Sequence, residues 1–198
     1  ALGGVSEPGR LLRDVAAVAS ALPPGDYRLA DPAGDAGELC ALAWGLGQFC
    51  FSRYKSAEAP APRRLLWPEH VDSARVLNAL EADRLLRDLV NTPAEDMGPA
   101  ELEAAARSLA NTFDAACEVV EGDALLEEGF PAIHAVGRAS HRPPRLIDLR
   151  WGMADAPRVT LVGKGVCFDT GGLDIKPAAA MRLMKKDMGG AAHALGLA

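Results

Sequence analysis

The sequence predicts an α/β chain in two parts. The first, residues 1–60, is the C-terminal part of a small N-terminal α/β domain; the second, residues 61–198, is the first part of another α/β domain. Three observations support this. Segments of helical period alternate with short runs rich in Val, Ile and Leu, the pattern of α/β layering. The stretch KSAEAPAPRR at residues 55–64 carries two prolines among small and charged residues, and reads as a linker where the rhythm of the pattern changes. Hydrophobic residues make up 49% and charged residues 24% of the 198 positions, a balance that supports a packed core.

The elements follow in order. In RLLRDVAAVASAL, residues 10–22, Leu12, Val15, Ala19 and Leu22 recur at helical spacing, and Pro23 and Pro24 stop the helix. GDYRLA at 25–30 alternates weakly and is a strand candidate; residues 35–54 are apolar and read as helix. After the linker, RLLW is a short strand candidate. Residues 72–91 form a long amphipathic helix with Asp72 or Ser73 as its cap, and Asn91-Thr92-Pro93 is its stop. A further helix begins at Pro99, a residue favoured at the first helical position, and runs to about Leu109. Strands are expected at 117–121, 132–137, 145–151 and 158–163.

Formal net charge is −6, a poor basis for binding nucleic acid or an anionic membrane surface. No apolar run approaches the roughly 20 residues of a membrane helix, and Glu7, Pro8 and Arg10 follow the N-terminus too closely for a signal peptide. Cys40, Cys50, Cys117 and Cys167 contain no Cys-x-x-Cys pair, which suits reduced thiols in a cytoplasmic protein. The chain does not start with Met and ends within a helical pattern, so it is expected to be a piece of a longer protein.

The stretch VGKGVCFDTGGLDIKP, residues 162–177, concentrates the chemistry. Asp169-Thr170-Gly171 is the triplet of an aspartic protease, but that reaction needs two aspartates sharing a proton. This chain has one copy, an alternating α/β pattern, and Lys164 and Lys176 on either side to hold Asp169 ionised. A phosphate-binding P-loop fails as well: Arg158 stands where its first glycine belongs, and Gly165 where Ser or Thr should follow the lysine. Asp169, after an apolar run, and Asp187, before Gly189 and Gly190, are carboxylates in glycine-rich surroundings that can converge on a divalent cation. The alternative is that both are turn or cap residues.

Taken whole, VGKGVCFDTGGLDIKPAAAMRLMKKDMGGAA resembles the first signature block of the leucyl aminopeptidases, the cytosol aminopeptidase family of two-metal peptidases. That block reads G-K-G-x-x-F-D-[ST]-G-G-x-x-[LI]-K-P and then M-x-x-M-x-x-D-M-G-G-A-A. NTPAEDMGP, FPAIHAVGRASHRPPRLIDLRW and FSRYK extend the resemblance over most of the chain. The resemblance implies a mixed-sheet metallopeptidase domain from residue 61 onward, two divalent metal ions per subunit (Mn or Zn, with Mg or Co as options), peptide substrates with a free N-terminus and a leucine-like preference, and a homohexamer. It also implies roles. Lys164 would bind metal through a neutral amine, Asp169 would bridge the metals, and Asp187 would bind one metal near the substrate's α-amino group. Lys176 would polarise the scissile carbonyl as the catalytic cation, and Met184 would line the first side-chain pocket.

Thr170 and Asp174 depart from common family choices without breaking the block. The family's second block, Asn-Thr-Asp-Ala-Glu-Gly-Arg, is absent from these residues. Three ligands cannot complete two metal sites, so the chain alone is expected to be inactive and to bind metal poorly. Two competing functions are an inactive member with a scaffold or DNA-binding role, and a two-metal phosphatase, which gives no reason for a lysine ligand. Cys167 is expected to be a buried apolar thiol. His70, His134, His141 and His193 lack ligand spacing, and Arg138, Arg142 and Arg145 are expected to be a solvated cluster.

Overall fold

The structure, a computed structural model, describes residues 8–30, 35–55 and 61–198. It divides into two compact units, Ala1–Arg84 and Leu85–Ala198. The middle of the expected linker, residues 56–60, lies outside the described residues.

In the first unit, α1 (Pro8–Ala21) packs against α2 (Asp35–Gly47). Val15 and Ala19 of α1 are buried with Cys40, Ala43 and Trp44 of α2, and Leu12 and Leu22 pack around them. Two three-residue strands, β1 (Gly25–Tyr27) and β2 (Arg63–Leu65), pair in parallel with Gly25 opposite Arg63. The Trp44 indole nitrogen donates to the Arg63 carbonyl at 3.2 Å, and its ring lies 5.3 Å from that of Tyr27. The strand expected at RLLW, residues 64–67, thus begins one residue earlier, at Arg63 of the expected linker, and ends at Leu65. The second helix stops at Gly47, short of the expected residue 54: Gln48 and Phe49 bond to the carbonyls three residues back, which tightens the final turn and ends it.

The helix α3 (Ser73–Asn91) is capped by Asp72, whose carboxylate accepts the Arg75 N–H at 3.1 Å. In the second unit, α4 (Pro99–Thr112) opens with Glu101 reaching back to the Gly98 N–H at 2.9 Å. The strands β3 (Ala116–Glu121) and β4 (Arg145–Arg150) form an antiparallel pair, with Ala116 opposite Arg150 and Glu121 opposite Arg145. Between them lie α5 (Ala124–Glu127) and α6 (Pro131–Gly137). The core gathers Leu89, Met97, Leu102, Cys167, Met188 and Ala192, with Ile147 of β4 against it. After β4 come α7 (Ala178–Met181), a 3₁₀ turn over Met184–Met188, and α8 (Gly189–Leu197).

Three expectations are corrected. Residues 132–137 form a helix rather than a strand: Pro131 presets the first helical φ, and Ala132 and Ala135 outweigh the β preference of Ile133 and Val136. Residues 158–163 form no strand. A strand exists only by pairing, and among the described residues no neighbour completes a ladder with them; Val159 and Val162 are 86% and 91% exposed. Arg142 and Arg145 are bound rather than solvated. The Arg142 guanidinium donates to the Ala94 and Glu95 carbonyls at 2.9 and 2.5 Å. The Arg145 side chain is buried between Glu103 and Glu121.

Candidate functional site

The site is assembled by three local devices. The first is a close approach between residues 163–165 and the start of α8. The Ala191 N–H donates to the Lys164 carbonyl at 2.9 Å, and only glycine fits at the contact, since a Cβ on Gly163 would stand 2.4 Å from the Gly190 carbonyl oxygen. The second is the loop from Asp169 to Lys176. Gly171 takes φ +96°, and its N–H donates to Asp169 Oδ1 at 2.8 Å. The Lys176 N–H then donates to the Thr170 carbonyl at 2.8 Å and closes the loop. The third is the 3₁₀ turn. Its 3.0 residues per turn place Met184 and Asp187 on one side and Lys185 and Met188 on another.

These devices bring the expected charged residues together as two ion pairs. Lys176 Nζ lies 2.5 Å from Asp169 Oδ2, and Lys164 Nζ lies 3.3 Å from Asp187 Oδ2. Lys176, the Gly171 N–H and the more distant charge of Lys164 hold the Asp169 carboxyl below its ordinary pKa. Asp169 is therefore an ionised acceptor beside the Lys176 amine, an arrangement unsuited to proton shuttling. Met184 is buried, and its Sδ accepts the Asp169 N–H at 3.0 Å. Cys167, two residues before Asp169, is also buried, and burial pushes its thiol up to about 11.

The donor set suits part of a metal shell. Asp169 and Asp187 supply carboxylate oxygens, and the Lys164 amine can supply nitrogen once it is deprotonated. Among the described residues no three His, Cys, Asp or Glu side chains gather to hold a metal ion. The two carboxylates and the amine are thus donor types that a divalent cation takes.

Two of the histidines bond to partners outside the charged cluster. His134 Nε2 is 3.0 Å from Asp123 Oδ1, and His193 Nδ1 meets the Gly189 carbonyl at 2.6 Å. Sequence reasoning missed two supports. The Lys185 ammonium donates to both the backbone and side-chain oxygens of Asn91 at 3.1 and 3.2 Å, and Arg142 holds the bend that follows Asn91. Residue type gives no signal for a cation whose partners lie far away in sequence.

The sequence and fold of this chain recur in known proteins. Residues 84–198 match the family model for the catalytic domain of the cytosol aminopeptidase family, and residues 1–68 match that of the M17 aminopeptidase N-terminal domain. A probable cytosol aminopeptidase of Roseiflexus castenholzii is 43% identical over 165 residues, which cover 76% of this chain and 34% of that protein. One of Micrococcus luteus is 40% identical over 185 residues, covering 83% and 36%. The chain thus spans about a third of the length of these curated relatives. Among solved structures, the cytosol aminopeptidase from Coxiella burnetii superposes with a TM-score of 0.89 at 50% identity, over 98% of this chain and 42% of that one. The bottromycin maturation enzyme BotP in complex with Mn gives 0.81 at 36% identity, over 98% and 44%.

Proposed function

The chain belongs to the cytosol aminopeptidase family, and from that premise we propose that it carries part of the active site of a metal-dependent aminopeptidase that releases N-terminal residues, leucine among them, from peptides. The observation that carries this reading is the cluster of Lys164, Asp169, Lys176 and Asp187 within two ion pairs.

Lys164, Asp169 and Asp187 would hold two divalent ions, with Mn, Zn, Mg and Co all compatible with oxygen donors and one amine. The BotP structure bound to Mn favours manganese among them. When bound, such ions supply Lewis acidity and a water activated at neutral pH. The protein groups do the rest. Lys176 would donate to the scissile carbonyl oxygen as negative charge grows there. Asp187 accepts from the substrate's α-ammonium, which restricts the enzyme to free N-termini. Met184 lines the pocket for the first side chain. The turn of residues 170–176 fixes Lys176 beside Asp169, and it would hold the ammonium at the reacting bond with little further loss of entropy. The site would work in a cytoplasmic homohexamer.

Hydrolysis of leucine p-nitroanilide by the native protein, with its intact mass recorded and Mn²⁺ added or chelated away, tests this reading. Metal-dependent cleavage by a species heavier than 20.8 kDa bears it out. Cleavage that survives chelation, or none by the heavier species, overturns it. Metal-dependent cleavage by the 20.8 kDa chain itself would show that no further ligands are required.

A further inference from the structure

Lys185 is the one lysine of the 3₁₀ turn whose ammonium is aimed away from both aspartates of the site. It reaches 94 residues back along the chain, to the Asn91 carbonyl at 3.1 Å and to Asn91 Oδ1 at 3.2 Å. Asn91 is the last residue of α3, so its carbonyl is one of those that the helix leaves unpaired, at the negative end of the helix dipole. A lysine ammonium is well matched to that place: it donates to two oxygens and is stabilised by the dipole.

The anchor sits at a sensitive point. Lys185 is flanked by Met184, whose sulfur accepts the Asp169 N–H, and lies two residues before Asp187, the partner of Lys164. Lys185 and Met188 share one side of the turn, and Met188 is fully buried in the core beside Leu89 of α3. Met184 and Asp187 share another side, toward the charged cluster. The turn is thus gripped on one side by α3 and presents both site contacts on the other.

We propose that Lys185 is a positioning residue: by tying the Met184–Met188 turn to the end of α3, it fixes Met184 against the Asp169 amide and Asp187 against Lys164. Its relevance to catalysis rests on the aminopeptidase reading above, but the anchoring itself does not. Lys185 touches neither reacting groups nor candidate metal donors; it acts through the turn.

Residue-resolved amide hydrogen exchange of the native protein tests this without metal or substrate, so failure of the aminopeptidase reading leaves the result intact. Lys185→Met keeps the unbranched stem of the side chain and removes its donors. Exchange of the Asp169 amide and of the amides within 184–188 should rise about tenfold or more, since two charge-assisted hydrogen bonds are lost and one alone accounts for about tenfold, while β3 and β4 keep the parent rates. Lys185→Arg, which can still donate to both oxygens, should restore the parent pattern. Asn91→Ala, which leaves the backbone acceptor in place, should give a smaller rise at the same amides. Parent rates at Asp169 and 184–188 in Lys185→Met would overturn the proposal. So would a rise spread equally over β3 and β4 that Lys185→Arg fails to reverse, since that would mark general loosening rather than positioning.

Discussion

Gly190 lies so close to Lys164 that a Cβ added to the glycine would stand 2.8 Å from the lysine's backbone nitrogen. That contact sets Lys164 beside the turn that carries Asp187. Gly190→Ala must push the two backbones apart and should cost about 1–3 kcal/mol, as overpacking does. At Gly189 the nearest atom would be Val90 Cγ2 at 3.9 Å, so Gly189→Ala should stay within about 1 kcal/mol of the parent. Urea denaturation of the two variants measures the difference.

Asp169→Asn removes the charge that Lys176 and Gly171 bind. The ion pair's side chains are 36% and 40% exposed, so solvent screens it and the loss of stability should be small. The effect on cation binding should be far larger. Thermal unfolding with and without Mn²⁺ separates the two: a Mn²⁺-induced rise in Tm in the parent should vanish in the variant. A rise equal to the parent's would remove Asp169 from the proposed metal ligands.

Two carboxyls give the chain an acid-sensitive component. Lys176 lowers the pKa of Asp169 from 3.8, and Arg107, with Arg145, lowers that of Glu103 from 4.5. A carboxyl whose folded pKa is depressed stabilises the fold above its unfolded pKa and loses that contribution as pH falls through the folded value. Stability should therefore decline as pH drops below about 4.5. The combined Asp169→Asn and Glu103→Gln variant should flatten the slope of urea midpoint against pH between 7 and 3.

Cys167 is 8% exposed, with its thiol pushed up to about 11, whereas Cys50 is exposed. At pH 8 a disulfide reagent such as DTNB should label Cys50 in the folded chain and reach Cys167 only on unfolding. Labelling kinetics in buffer and in urea, followed by peptide mapping, check the order.

Local relationships were the legible ones. Asp169 and Lys176 are seven residues apart, and the glycines between them announce a turn that can bring the two together. The helix starts marked by the Asp72 cap and by Pro99 were equally open, because helix starts are encoded by the residues that occupy them. Long-range relationships stayed hidden. Nothing in Arg142 reveals that it binds carbonyls of Ala94 and Glu95, and nothing in Lys185 points to Asn91. The run at 132–137 is too short for its apolar spacing to separate helix from strand. At 158–163 the pattern reports only side-chain character, whereas a strand also needs a partner.

The bend over residues 91–98 is fastened from far along the chain: by Arg142, 48 and 47 residues beyond its two acceptors, and by Lys185, 94 residues beyond Asn91. By contrast, the Glu101 cap on Gly98 spans three residues. Each doubling of a loop adds about 0.6 kcal/mol to the entropy of closing it. In the order of folding events, the start of α4 can therefore form early, while the bend before it is secured late, after two long segments have returned to it. Contacts made after the rate-limiting barrier act on escape from the native state rather than on arrival. Loss of either fastening should thus leave the refolding rate nearly unchanged and hasten unfolding, so that the endurance of the folded chain depends on two cations far in sequence from the bend they hold.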